Sequence, residues 1–533
     1  MNNPETPGVF LREASGLVKS ADTPDVFIYN VGLISVGIGV AYTHLIGPAN
    51  YPGGNVAIAS LVATLVMVLV GWAFWHWTVI FPRSGGVYVF LTRGLNGSVG
   101  YALSFVDAIC WLFYNAVGSV LLSSVGLAPL FFSLWLITGD TRFRDVAQLL
   151  DSRVGQFVAG TVLILVSGLI LASGMRRYFL VQRVVFLIAL AGTVAMLITL
   201  ATSTPEAFKE NFNRLVGPQV GLNYQEIIDK AKQLGWRNPG FGWDATLSLS
   251  VWPFLPLIGG AFSIAIGGEI RNVPKAQAFG IIGSIVACGI CFALIGRLSD
   301  SVFGYEFQAA VAYTSQKATG VGLPVTPYFP VLLAILTASP LWTAIFCLTF
   351  IAWIYFWIPG MLAYAERTLL AWSFDRLAPA PVGYVSERYH TPVVAILVTV
   401  LISILFLALY VFSTLFATLV FILAAAITWA VVCLVGVIFP FRAKSIYDVS
   451  PVSQLKILGL PSMAVSNLLA ALALGFMAYL LIRDPLAAGS GPRSLGTVAV
   501  TFALGLLLYH GTRIHRARKG IDVTRAFKEI PIE

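Results

Sequence analysis

Hydrophobic positions in this chain run in long stretches separated by short polar breaks, not in the alternating or three-to-four spacing of a half-buried element. Twelve stretches stand out, at residues 25–47, 55–80, 98–136, 155–174, 178–201, 249–268, 277–298, 341–371, 392–411, 413–439, 461–482 and 494–512. A bilayer core about 30 Å thick is crossed by about 20 apolar residues in a helix. Only a helix or a closed barrel satisfies its own backbone in hydrocarbon. The pattern therefore predicts an all-α polytopic membrane protein with about 12 transmembrane helices. The third and eighth stretches are long enough to tilt or to project from the bilayer. A shorter piece, Tyr328 to Ser339, is too short to cross and is expected to be re-entrant or to cap the outer face. Were it to span, everything after it would be inverted.

Two stretches are interrupted. The sixth, within Ser250 to Ala276 (SVWPFLPLIGGAFSIAIGGEIRNVPKA), carries Pro253, Pro256, Gly259 and Gly260. Proline removes a backbone donor and glycine gives no reason to stay helical. The first carries Gly32, Gly37 and Gly39 around Ser35. Each reads either as a kinked helix packed through small residues or as a discontinuous helix at a transporter's binding site. Their offset of five spans favours the second reading, an inverted five-plus-five repeat whose site lies between the halves. The expected organisation is a cytoplasmic segment 1–24, a first repeat 25–201, an outer loop 202–248, a second repeat 249–440, two further helices in 441–512 and a basic tail 513–533.

Composition agrees with a membrane protein: 58% of the residues are hydrophobic and 11% charged, against about 25% charged in soluble domains. The net charge of +9 points to membrane orientation, not to nucleic acid, because of where the cations lie. With the N-terminus in the cytoplasm, 21 of the 33 Lys and Arg residues fall on inner segments and 12 on outer ones, five of those in the long loop 202–244. The positive-inside rule then puts both termini in the cytoplasm of a cell membrane. The tail sequence RIHRARKG reads as a positive-inside anchor or as a patch attracted to anionic lipid. The loop 202–245, with amphipathic pieces such as YQEIIDKAKQLGW, is expected to form a structured outer cap. The five cysteines all lie in apolar spans, and the CxxC of Cys288 and Cys291 lacks companion metal ligands.

Chemistry centres on the two interruptions. Unwinding frees main-chain donors and acceptors, and a half-helix N-terminus suits a carboxylate. Ser35, Val36, Gly37, Ile38 and Gly39, with Ile258, Gly259, Gly260, Ala261 and Phe262, are the candidate binding residues for an α-carboxylate and α-amino group. Asn115, in WLFYN of span three, is placed to bond either a substrate or a neighbouring helix. Asp107, a carboxylate in the same span, is a gating or coupling candidate or a partner of an inner arginine. His44 and His76 are weaker candidates for a proton relay, and the WAFWHW tryptophans read as an interface belt. Trp353, Phe356 and Trp357 line a cavity or pack. No metal-binding, nucleophile-elbow or nucleotide-binding motif occurs, so no enzyme chemistry, cofactor or nucleotide-driven pumping is expected.

Several segments in order resemble the amino acid–polyamine–organocation (APC) permeases, whose fold is LeuT-type. Phe81–Arg93 (FPRSGGVYVFLTR) is similar to the family's signature after span two. Gly267–Lys275 (GGEIRNVPK) resembles its acidic and Lys-Asn-Pro segment after span six, with Val273 inserted before Pro274. Arg367–Pro379 (RTLLAWSFDRLAP), followed by His390, Thr391 and Pro392, resembles the pattern before span nine. GIGV at Gly37–Val40 stands where the family has Gly-x-Gly. The resemblance implies a LeuT-type 5+5 inverted repeat with broken helices 1 and 6 and two added C-terminal helices. It further implies secondary transport of amino acids or small amines by alternating access, with Arg83, Glu269 and Arg271 in an inner gate of charge pairs. Ala261 stands where many relatives carry an acidic residue, which favours a neutral substrate over a cationic one. Ala189 stands where some proton-coupled relatives have lysine, and span eight offers only Thr349 in place of a sodium-binding Ser/Thr pair. A coupling proton, exchange and sodium therefore stay open. A sensor or scaffold of the same fold that binds without transporting is the alternative.

Overall fold

The computed structural model describes residues 16–317, 323, 325–417, 421–484, 486 and 491–528. Residues 1–15 of the N-terminal segment and the last residues of the tail lie outside that set. Among the described residues, twelve helices are long and apolar enough to cross a membrane: Thr23–Asn50, Val56–Ile80, Gly97–Thr138, Arg153–Ala172, Met175–Thr202, Trp243–Ala265, Val273–Phe303, Pro340–Phe374, Val393–Phe412, Ile422–Arg442, Ser462–Arg483 and Pro492–Ala517. They are spans 1 to 12 below. The protein is a multi-pass, all-α membrane protein. The one strand pairing among the described residues is the hairpin Lys456–Ile457 with Leu460–Pro461.

Helix starts follow local chemistry. Asn55, Asn96 and Ser152 cap spans 2, 3 and 4 through side-chain oxygens that accept from Ile58, Val99 and Gly155 amides. Prolines 340 and 492 open spans 8 and 12, where no donor is lost. Three predicted boundaries move. Span 6 begins at Trp243, because the polar WDA turn continues into the apolar run. Span 10 begins at Ile422, after a separate turn Thr414–Ala417. Span 12 carries the basic RIHRA segment to Ala517, so the tail starts later than residue 513.

The arrangement has the sense expected of an inverted repeat. Interruptions fall in spans 1 and 6, and the two longest spans are 3 and 8. The connection from span 2 to span 3 holds a short helix, Val87–Gly94, on the face where span 1 begins, the near face. The matching connection from span 7 to span 8 holds Tyr305–Lys317 and Phe329–Thr337 on the opposite, far face. The second of these is nine residues long and does not cross. The loop after span 5 is a helical cap of Pro205–Leu215, Gly217–Val220 and Tyr224–Gln233 on the far face. Tyr224 stacks on Phe307 at 4.3 Å between centroids.

Outside the ten-span core, span 11 joins spans 2 and 10: Trp77 Nε1 donates to Asn467 Oδ1 at 3.2 Å. His76 bonds Ser462 and Ser466 of span 11, and the Trp77 ring stacks on Phe90 at 5.3 Å. That corrects the interface-belt reading for Trp77, which is fully buried. Spans 5, 9 and 12 expose leucines such as Leu187, Leu397 and Leu507, as lipid contact requires.

Candidate functional site

Span 1 breaks at one residue. Helix Thr23–Ile34 ends, Ser35 turns to φ 53°, ψ 83°, and helix Val36–Asn50 begins. Left-handed geometry is strained for a side chain other than glycine's. It persists because Ser35 Oγ donates to the Trp353 carbonyl of span 8 at 2.9 Å. The ladder of the second half opens with Gly39 N donating to Ser35 O at 3.0 Å. The amides of Val36, Gly37 and Ile38 before it have no intrahelical partner. They give the break a partial positive end suited to an anion.

Span 6 is interrupted differently. Val251–Leu257 is α-helical, and Ile258–Ala265 then tightens to 3₁₀ geometry for eight residues, well beyond the usual length of such a turn. Two buried side-chain amides hold the altered backbone. Ser263 N donates to Asn30 Oδ1 at 3.0 Å, and Asn30 Nδ2 donates to Ser263 Oγ at 2.9 Å. Gln277 Nε2 donates to Ser263 O at 3.0 Å, while Ser263 Oγ donates to Gln277 Oε1 at 2.5 Å. Unpaired backbone at this depth costs several kcal/mol per group, and Asn30 and Gln277 remove that cost.

The two interruptions touch. A Cβ on Gly259 would fall on the Leu33 carbonyl, and one on Gly260 on the Ile285 side chain. Gly37 lies against Trp353, with 2.9 Å for an added Cβ, and Gly39 against the Phe292 ring. The absence of a side chain at these four glycines allows the close approaches. Val36, Ile258 and Ala261 are buried beside them.

A cavity of about 260 Å³ lies on the far side of the breaks. Ile38 is the one predicted site residue on its wall. Tyr42 of span 1, Trp111 and Tyr114 of span 3, Trp252 of span 6 and Trp357 of span 8 complete most of it, and among the described residues no charged side chain lines it. Of the span 8 aromatics, Trp357 lines the cavity, while Trp353 donates to Thr193 Oγ1 at 2.9 Å and Phe356 packs on Gly32. Phe262 lies under Trp111, ring centroids 4.6 Å apart, and beside Tyr364 at 4.9 Å.

Beneath Trp111 sits Asp107, buried, with no cation within ion-pair distance among the described residues. Its carboxylate accepts from Tyr364 Oη at 2.6 Å, Trp111 Nε1 at 3.1 Å and Trp429 Nε1 at 3.2 Å. The inner-arginine pairing is therefore excluded, and the cavity wall is bonded directly to a carboxylate. Asn115 Nδ2 donates to the Ile358 carbonyl at 2.8 Å, and its buried Oδ1 has no partner among the described residues. His44 bonds Val40 O and Ser299 Oγ. Cys288 and Cys291 are free thiols, and no cluster of metal-ligating side chains occurs among the described residues.

The near side of the breaks is closed by charge. Arg367 Nε and Nη2 donate to Glu269 at 2.7 and 3.2 Å, and Nη1 to Glu366, all three residues being fully buried. Glu366 Oε2 has no hydrogen-bond partner among the described residues. Arg93 pairs with Asp375 at 2.7 Å, and Tyr88 Oη donates to the same carboxylate at 2.7 Å. Burial opposes the Arg93 charge, but Asp375 outweighs it and raises the guanidinium's pKa. Over this pair lies the turn Val523–Lys528: Arg93 Nη2 donates to Ala526 O at 3.3 Å, and the Phe527 ring lies 5.6 Å from its guanidinium and against Gly97. Gly85 N donates to Ala265 O at 3.0 Å, so the Phe81–Arg93 segment also grips span 6. Arg271 pairs with Asp22 at 3.1 Å, and Arg183 with Asp25 at 2.7 Å. Arg83 donates to Pro82 O at 3.0 Å.

Sequence reasoning located the three near-face segments but not their pairing: Arg367 and Asp375 of the third supply the partners of Glu269 in the second and Arg93 in the first. It also missed Trp111 and Tyr114 as cavity residues. The available signal was positions 111, 114, 117 and 121 on one helical face.

Comparison with known proteins agrees with this arrangement. The amino acid permease family matches residues 22–504. A branched-chain amino acid permease, BcaP, of Lactococcus lactis subsp. cremoris (strain MG1363) is 24% identical over 347 residues, 64% of this chain and 65% of that protein. The chain therefore belongs to the amino acid permease family, within the APC superfamily.

Proposed function

We propose that the protein is a secondary transporter of neutral amino acids in a cell membrane, working by alternating access with both termini cytoplasmic. The observation that carries this reading is the one-sided closure. Buried charge pairs seal the near side of the breaks, while an uncharged cavity lies on the far side. On this reading the structure is the form closed toward the cytoplasm. The amides of Val36, Gly37 and Ile38 receive the substrate carboxylate, and the Asn115 carbonyl oxygen accepts from its ammonium group. Trp111, Tyr114, Trp252 and Trp357 surround the side chain. An aromatic wall without a carboxylate favours an apolar side chain, in keeping with the branched-chain permease among the relatives. Opening toward the cytoplasm requires Glu269–Arg367 and Arg93–Asp375 to part. Asp107, bonded to the cavity wall through Trp111, is the candidate carrier of a coupling proton.

The test is uptake and exchange of radiolabelled leucine and lysine in proteoliposomes. Leucine flux exceeding lysine flux at least tenfold is expected. Saturable binding without flux would leave a non-transporting sensor and overturn the reading. In a thermal-shift screen, a ligand at about 100 times its Kd stabilises by about 2.7 kcal/mol and identifies the substrate.

A further inference from the structure

A cavity larger than the one at the breaks lies elsewhere in the molecule. It lies at the near face, holds about 1060 Å³, and is walled by the start of span 1, the start of span 5, the connection after span 6 and the connection after span 8. We propose that it is a binding site for the phosphate headgroup of an anionic phospholipid.

Charge carries the first part of the argument. Six cationic side chains line the cavity: Lys19, Arg176, Arg177, Arg183, Arg271 and Arg388. Its three carboxylates are already engaged, Asp25 by Arg183, Asp22 by Arg271 and Glu269 by Arg367. Lys19, Arg176, Arg177 and Arg388 are left with no carboxylate within ion-pair distance among the described residues. Two of them flank one ring: the guanidiniums of Arg177 and Arg388 lie 5.9 and 5.2 Å from the centroid of Tyr389, which itself lines the cavity. Like charges gathered around a concavity repel until an anion enters it, and a phosphate oxyanion matches the guanidinium fork in geometry.

The apolar border identifies the source of the phosphate. Leu180 lines the cavity and is 62% exposed. Val184 and Leu187 continue from it at four and seven residues along the outer face of span 5, both exposed. The cavity therefore opens sideways onto the lipid-facing surface, which suits an amphiphile whose acyl chain lies along that stripe. A free phosphate compound gains nothing from the stripe. The site also bears on opening. Arg183–Asp25 ties span 1 to span 5, and Arg271–Asp22 ties it to the connection after span 6. A phosphate that competes for Arg183 and Arg271 loosens the start of span 1. Assignment to the cytoplasmic leaflet rests on the orientation proposed above; the binding itself does not.

The full-length protein is reconstituted in nanodiscs containing equal amounts of phosphatidylglycerol and phosphatidylcholine, then transferred to detergent, and the retained lipid is identified by native mass spectrometry. Retained phosphatidylglycerol is expected to exceed phosphatidylcholine at least tenfold. The Arg177→Gln/Arg388→Gln double variant is expected to abolish the preference, while Arg442→Gln/Lys444→Gln, cations elsewhere on the near face, leaves it intact. Equal loss in both double variants would reduce the effect to general surface charge and overturn the site. Leu180→Asn is expected to lower phosphatidylglycerol retention. Binding of sn-glycerol 3-phosphate as tight as that of phosphatidylglycerol, unchanged by Leu180→Asn, would overturn the lipid assignment in favour of a soluble phosphate. The readout needs no transport, so absence of amino acid flux leaves the result standing.

Discussion

Replacing Arg367 with methionine separates a gate from a mere structural ion pair. Arg367 is fully buried and serves two carboxylates, Glu269 through two hydrogen bonds and Glu366 through one. Methionine keeps much of the volume and removes the charge, so both carboxylates stay buried without a cation. Breaking a buried pair from one side costs about 3–5 kcal/mol. If the pair exists only while the near side is closed, that cost falls on the closed form alone, since water solvates the carboxylates once the side opens. At about 1.4 kcal/mol per decade, the lower figure shifts the equilibrium toward the opened form by about a hundredfold. The assay is maleimide labelling of Ala265→Cys, in a background with the five native cysteines replaced. Ala265 is fully buried and lies just below the breaks, its carbonyl held by the Gly85 amide. In nanodiscs, Arg367→Met is expected to speed labelling by one to two orders of magnitude. Glu366→Gln, which keeps Glu269–Arg367 and removes the surplus carboxylate, is expected to leave the rate unchanged or lower it. A rate in Arg367→Met within threefold of the parent, in protein that still binds ligand, would refute the gate and leave a static ion pair.

Three further outcomes are expected. Asp107→Asn keeps an acceptor for Trp111 and Trp429 but removes the charge; accumulation driven by a proton gradient should be lost while counterflow exchange persists, and undiminished accumulation would exclude Asp107 as the proton carrier. Replacing sodium with choline should leave leucine uptake unchanged, since Thr349 bonds the Ile345 carbonyl and packs on Gly192, whereas a steep rise of uptake with sodium would contradict this. Gly259→Ala places a methyl on the Leu33 carbonyl and should lower the melting temperature, whereas Gly496→Ala, which meets nothing within 4 Å on a helix, should raise it through a helix propensity gain of about 1 kcal/mol. The same effect at both positions would show that the contact between the two interruptions does not bear load.

Span number, most span limits and the two interruptions were legible because a bilayer imposes a length and forbids unpaired backbone, and both constraints are written into composition. The mechanism of each interruption was not. Glycines drew attention in span 1, yet the turn falls on Ser35, whose left-handed geometry depends on a carbonyl 318 positions away. In span 6 the prolines and glycines suggested unwinding, whereas the chain tightens, held by Asn30 and Gln277. Such amides look ordinary in sequence, because their meaning comes only from the backbone they meet. The cavity suffered likewise. Its aromatics sit on five different spans; Trp111 and Tyr114 share one helical face, but nothing local separates Trp357 from packing residues such as Trp353 and Phe356.

The contact of Ala526 and Phe527 with Arg93 has a consequence in time as well as in space. Arg93 and the carbonyl that caps it lie 433 positions apart, so the charge pair is made and inserted well before its cover. Until Val523–Lys528 has been translated and has formed its turn, the pair stands uncapped, and the near side is sealed by Arg93–Asp375 alone at this point.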